Sequence, residues 1–362
     1  MVAQHDAAAL LLELAAAYVA ASALTTAVSS VLRWVTAQWG VLFGVVQTRQ
    51  SGPVFDRFTR QLEQKLRGLP APDTAAVLEH ARRARVLGVV QGFRETGVQV
   101  PAAWLTHPER ISAERMLADL EHAGVPHQVV VEARKAVDRS TRSRLSWGRS
   151  EALDRIERAA KQVHDLDEAT LHQVMEAMAS AQSASRLLEA TAKAVVVKQL
   201  NEGILAAATA VGARVFWVAE ADACRWCASA AGTFPGPDGV FRMRGFGARG
   251  PAPYRLNAAG EKIPLRVPPA HNHCRCRLGI WRARRPPGPD DLPTRLRHEA
   301  SARFLNPNAV PTEPAFQPTP ASQLLTLVAT RSRSRRGRTV PGHVVERARR
   351  TLRASIRRRT GR

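Results

Sequence analysis

The sequence predicts a mainly α-helical protein, built on long N-terminal helices and followed by a small α+β module and a disordered basic C-terminal tail. Three observations predict it. Apolar residues recur at helical spacing through long proline-free stretches of the first two thirds of the 362 residues. At residue 212 the pattern turns β-branched and aromatic, and all four cysteines lie beyond that point. The last 32 residues carry 13 Arg and one Glu, a composition that solvates well and builds no core.

Residues 1–211 read as a helical scaffold. Leu10, Leu14, Ala17, Ala21, Leu24, Val28, Val31 and Val35 step by alternating 4 and 3 residues, which places them on one seam facing a partner helix. The stretch 14–32 is uncharged over 19 residues, long enough to raise the question of a membrane span. Twelve of those residues are Ala, Ser or Thr, so lipid would draw it in weakly and no stable membrane insertion is expected. No Lys or Arg precedes the first apolar run, and Asp6 and Glu13 flank it, so no secretory signal is readable and a cytoplasmic origin is expected.

Residues 54–67 follow Pro53 and stop before Pro70 and Pro72, as a short amphipathic helix does. Further helices are expected over 73–95, 109–123 and 126–139, separated by the Gly- and Pro-bearing stretches 97–101 and 124–126. Asp165 with Glu168 makes a capping-box pattern. Behind it 168–210 runs without Pro, with Leu171, Val174, Met178, Leu188, Val195 and Ile204 among small residues, the pattern of a long, closely packed helix. Nothing in 1–210 shows a fixed repeat, a Gly-rich phosphate loop, a Gly-x-Ser-x-Gly elbow or a paired-carboxylate motif.

Residues 212–281 form the module. Gly212 ends the helix, 214–220 reads as a strand, 275–281 as a second, and the Gly- and Pro-rich stretch 235–269 between them as an irregular loop. Residues 282–339 read as a linker, because nine of the 35 residues in 286–320 are Pro. Residues 340–362 are an Arg-rich tail in which Val345, Ala348, Leu352 and Ile356 fall at helical spacing, so it can become a basic amphipathic helix on a partner.

The net charge of +22 is unevenly placed: +2 over 1–212, +6 over 213–281 and +14 over 282–362. A GC-rich coding sequence accounts for 47 of the 53 basic residues being Arg, but not for base exceeding acid. Such a tail seeks a polyanion. Arg331, Arg333, Arg335, Arg336, Arg338, Arg347, Arg349, Arg350, Arg353, Arg357, Arg358 and Arg359 are the expected contacts to nucleic-acid phosphates, without any reading of base sequence.

The cysteines form two close pairs, Cys224-x-x-Cys227 and Cys274-x-Cys276, with 46 residues between them and His271 and His273 just before the second. Two such pairs across a loop bring four soft ligands onto one tetrahedral ion, and zinc is the ion that thiolate and imidazole prefer. The ligand set is either the four cysteines, or a set in which His271 replaces one thiolate. Four protein ligands leave no open position for water, so the expected zinc is structural and clips the module together. Disulfides are disfavoured in a reducing compartment, and a Cys–His nucleophile requires one cysteine set apart from the others.

These residues carry a resemblance. The run from Phe216 to Cys227, then Gly232-Thr233-Phe234, then Pro268 to Cys276, resembles the signature of the phage Mu F-like minor head protein family. That family shows a strand with Trp, here Trp217, an Asp two before the first Cys, a Cys-x-x-Cys pair, a Gly a few residues on, and a Pro-rich approach to His-Pro-Asn-Cys-Arg-Cys. Asp222, Cys224, Cys227, Gly232, His271, Cys274, Arg275 and Cys276 match, while Asn272 and His273 stand where the family has Pro and Asn. The resemblance implies a minor head protein of a tailed phage or prophage, few in copies, acting in head morphogenesis at the portal vertex. Its implied partners are the portal protein, other head proteins and packaged double-stranded DNA. Its implied place is the head interior of the virion, after assembly in the host cytoplasm.

Two other functions compete. One is a capsid maturation protease joined to the same module, as in some phage head genes resembling this one, though no local motif marks out a nucleophile, base and orienting group. The other is a cytoplasmic zinc-containing DNA-binding protein, for which the sequence offers no helix-turn-helix or finger spacing.

Overall fold

The structure is a computed structural model that describes residues 23–38, 52–70, 73–97, 113–134, 139–164, 171–219, 223–247, 250–252, 254–256, 262–271, 274, 276–283 and 285–306. Helices come first: α1 (23–38), α2 (Gly52–Arg67), α3 (Thr74–Glu95), α4 (Ala113–His122), α5 (His127–Arg134), α6 (Arg139–His164) and α7 (Leu171–Ala210). The module follows as β1 (Arg214–Val218), α8 (Arg225–Ser229), β2 (Met243–Gly247), β3 (Gly250–Ala252), β4 (Tyr254–Leu256), β5 (Lys262–Pro264) and β6 (Arg277–Trp281), and then comes α9 (Leu292–Leu305).

The seam read in the N-terminal segment finds its partner inside the chain. Leu24, Val28, Val31 and Val35 of α1 are all buried, against Phe58, Leu62 and Leu66 of α2, Ile156 and Val163 of α6, and Val174 and Met178 of α7. Trp34 stacks on Phe58 at 5.4 Å between ring centroids. The seam positions Leu10 to Ala21 lie outside the described residues. Among the described residues, no helix is long and apolar enough to cross a membrane.

A second core gathers α3, α4, α5, the C-terminal half of α7, the module and α9. Where α3 crosses α7 the two backbones nearly touch. A β-carbon on Gly88 would run into the carbonyl oxygen of Leu200, and one on Gly203 into that of Arg85. Only glycine permits so close a crossing. The apolar core therefore runs across residue 211, where the sequence places a division between scaffold and module: Val195, Leu200 and Ile204 pack with Val215, Trp217 and Leu278.

Three further differences separate the structure from the sequence reading. The linker expected over 282–339 is helical over Leu292–Leu305, with Leu296 and Ala300 buried. Pro293 opens that helix instead of breaking it, since proline at the first turn loses no hydrogen bond; residues 307–339, and the tail 340–362, lie outside the described residues. The expected irregular loop over 235–269 contains two short hairpins, β2 with β3 and β4 with β5. Of the helix expected over 126–139, His127–Arg134 is helical and 135–138 lie outside the described residues, while the 26-residue α6 (Arg139–His164) was not expected. Its buried side mixes Ala152, Ala159 and Ala160 with Thr141, Leu145, Ile156 and Val163, a weak periodic signal among many Arg and Ser residues. The capping box at Asp165–Glu168 lies outside the described residues, and α7 begins at Leu171.

Candidate metal centre

Strands β1 and β6 pair antiparallel, Phe216 against Gly279 and Val218 against Arg277, so the chain leaving β1 and the chain entering β6 arrive side by side. Beyond β1, Cys224 takes an extended conformation at the N-cap of α8, and Cys227 follows within its first turn. Three residues apart on a helical turn, their sulfurs face the same way. Gly232, at φ +71°, then turns the chain back. Its N–H donates to the carbonyl oxygen of Trp217 (2.7 Å), and the Trp217 N–H donates to that of Thr233 (2.9 Å), which sews the return along β1. A β-carbon at Gly232 would strike the carbonyl oxygen of Pro293, so glycine is required both by the turn and by the approach of α9.

The second half-site is held from the helices. The Cys274 N–H donates to the His271 carbonyl oxygen (3.0 Å) in a tight turn. The fully buried Asn201 of α7 then grips the start of β6: its Nδ2 donates to the Cys276 carbonyl oxygen (3.1 Å), and its Oδ1 accepts from the Leu278 N–H (2.7 Å). One residue from the end of the same strand, the Ile280 N–H donates to Oε2 of Glu95 (3.0 Å), the last residue of α3. Trp217 is wholly buried in the same core as Cys227, Cys274 and Cys276, edge-on to Phe241 at 5.3 Å.

The donors converge. His271 Nε2 lies 3.2 Å from the sulfurs of both Cys224 and Cys227, and the sulfurs of Cys227 and Cys274 are 3.6 Å apart. The ligand atoms of Cys224, Cys227 and His271 lie within 4.8 Å of one another, as do those of Cys227, Cys274 and Cys276, so Cys227 belongs to both groups. All four cysteines are free thiols. For comparison, the edges of a tetrahedral zinc site are about 3.5 Å between S and N and about 3.8 Å between two S, from the usual bond lengths. The observed separations fit a site that closes around a small ion with little movement.

The groups of the cluster shift one another in both directions. The Cys224 thiol is lowered to about 4, first by its hydrogen bond with Cys227 and then by His271. Burial pushes Cys274 up, but hydrogen bonds with Cys227 and Cys276 and the charge on His271 outweigh it, and its thiol lies well below the usual range. Cys227 is raised, because it keeps the proton that it donates toward Cys224, Cys274 and Cys276. His271 is raised by its hydrogen bond to Cys224. Cys224 and Cys274 thus favour thiolate, the donor form that a soft or borderline metal ion takes, while Cys227 and His271 hold protons that binding such an ion would displace. These Cys and His groups could hold such an ion.

The structure thus brings together Cys224, Cys227, His271, Cys274 and Cys276, with Trp217 in the same core and Gly232 at the turn. Asp222, Arg275 and His273 lie outside the described residues, as do the tail arginines from Arg331 to Arg359. Asn201 and Glu95 were not singled out by sequence reasoning. The one available signal was Asn201 itself, an amide within the Ala- and Val-rich interior of a long helix, where a buried polar group requires a tertiary partner. Compared with protein-family models, with curated proteins and with solved structures, the chain matches none.

Proposed function

We propose that the chain is a minor head protein of a tailed phage, acting in head morphogenesis at the portal vertex. One observation carries the reading. Cys224, Cys227, His271, Cys274 and Cys276, which follow the order and spacing of the Mu F-like signature, meet at one site, with the signature's Trp217 in the same core and its Gly232 turning the chain back. In this reading the ion is zinc, held by four of the five donors. It closes the module structurally and leaves no position for a reacting water. The helices offer the surface for the portal and other head proteins, and the Arg-rich segment 331–362 lies on packaged double-stranded DNA through its phosphates.

Mass spectrometry of purified particles from the phage or prophage that encodes the chain tests this. A few intact copies per particle are expected. Absence from particles overturns the reading in favour of a DNA-binding protein of the host cytoplasm, and a chain cut at one defined site overturns it in favour of the maturation protease. Elemental analysis of the purified protein is expected to find one zinc per chain, and a metal-free, fully stable protein would remove zinc from the proposal.

A further inference from the structure

The N-terminal half of α6 presents a surface that neither the fold nor the metal centre uses. Residues 139–150 read RSTRSRLSWGRS, with four Arg and no acidic residue. Thr141, Leu145 and Ala152 face inward and are buried, which turns Arg139, Arg142, Ser143, Ser146, Trp147, Arg149 and Ser150 outward, and all seven are exposed. The two halves of this helix treat their charges differently. In the C-terminal half, Arg155 bonds Glu151 (2.7 Å) and Ser183 (2.7 Å), and Arg158 reaches Glu151 (3.4 Å). In the N-terminal half, no carboxylate among the described residues pairs with Arg139, Arg142 or Arg149. Among the described residues, Glu202 of α7 is engaged with Lys198 and Gln199, and Glu151 with Arg155 and Arg158.

Trp147 sits on the same face, 41% exposed, beside serine hydroxyls. We infer that this face of α6 binds the phosphodiester backbone of a nucleic acid. Guanidinium forks and hydroxyls are the groups that donate to phosphate oxygens, and they need no base sequence. From Arg139 to Arg149 the helix rises about 15 Å, against about 3.4 Å of rise per nucleotide along one strand, so the face covers roughly four nucleotides. Trp147 adds a flat surface on which an unpaired base can stack. The site stands on a rigid helix in the folded body and is separate from the Arg-rich segment 331–362.

The test uses the full-length chain with the arginines of 331–362 replaced by Gln, so that the tail does not mask the helix, and the same chain carrying R139Q, R142Q and R149Q in addition. Binding of a labelled oligonucleotide, duplex or single-stranded, is measured across a salt series. Each phosphate contact contributes about 0.9 to the log–log salt slope on duplex and about 0.7 on a single strand. The triple substitution is therefore expected to lower the slope by roughly 2–3. All three side chains are exposed, so the melting temperature stays the same. An unchanged slope overturns the inference, and so does loss of binding to polyglutamate with DNA binding intact, which assigns the face to an acidic protein. Trp147→Ala separates the two supporting outcomes. A loss of about fivefold to a hundredfold confined to single strands identifies an unpaired strand as the ligand, and equal binding to both forms identifies the duplex backbone.

Discussion

Asn201 shows how one side chain can set a site that it does not enter. Its amide spans from α7 to residues 75 and 77 positions further along the chain, satisfying one carbonyl and one N–H that would otherwise be buried without partners. Asn201→Ala is expected to lower stability by about 2–4 kcal/mol, the cost of two orphaned buried groups, and to speed metal loss to a chelator. Denaturant unfolding and a chelator time course measure the two effects. Glu95 acts on the same strand with the opposite electrostatic sign. Burial, against the charge of Arg277 and the hydrogen bonds from Gln91 and Ile280, holds its carboxyl above the usual value. A raised folded pKa means that the folded state binds the proton more tightly than the unfolded chain does. The resulting stabilisation is fully present below the ordinary carboxyl range of about 4.3 and is lost as pH rises through the raised value. Glu95→Gln, neutral throughout, is expected to gain stability relative to wild type as pH rises through that window, and unfolding curves at several pH values would show the two diverging.

At the scale of elements, the thiol cluster and the core around α1 and α2 are separable in experiment. The module and α9 share the core that holds the thiols, whereas α1 and α2 pack in the other. Chelation, or Cys224→Ser, is therefore expected to raise amide exchange in β1, β6 and α9 while protection in α1 and α2 persists; uniform loss across both would contradict this. The same division explains what could be read from sequence. The α1 seam was legible because its 4 and 3 steps are local, and the thiol pairs because metal ligands cluster along the chain by chemistry. α9 was hidden by its prolines, whose meaning depends on whether they open a helix or interrupt one. α6 was hidden because only Leu145, Ile156 and Val163 on its inner face are large and apolar, and the alanines between them leave little hydropathic contrast. Asn201 and Glu95 work through partners far away in sequence, and nothing local announces them.

For the whole molecule, charge rises along the chain, from +2 over 1–212 to +6 over 213–281 and +14 over 282–362. Deleting 331–362 is expected to leave the helical circular dichroism and melting temperature unchanged, and to cut retention on DNA together with most of its salt dependence. Unaltered retention at low salt would remove the tail's role and leave the body to carry it. That body has one continuous member. α7 runs 40 residues, about 60 Å, and is buried in one core over Val174–Leu188 and in the other over Val195–Ala208, with no proline between. A helix clamped at both ends in this way works as a strut. With one unbroken helix common to both cores, a push or twist at the α1 end would be carried along it toward the thiol-bearing end.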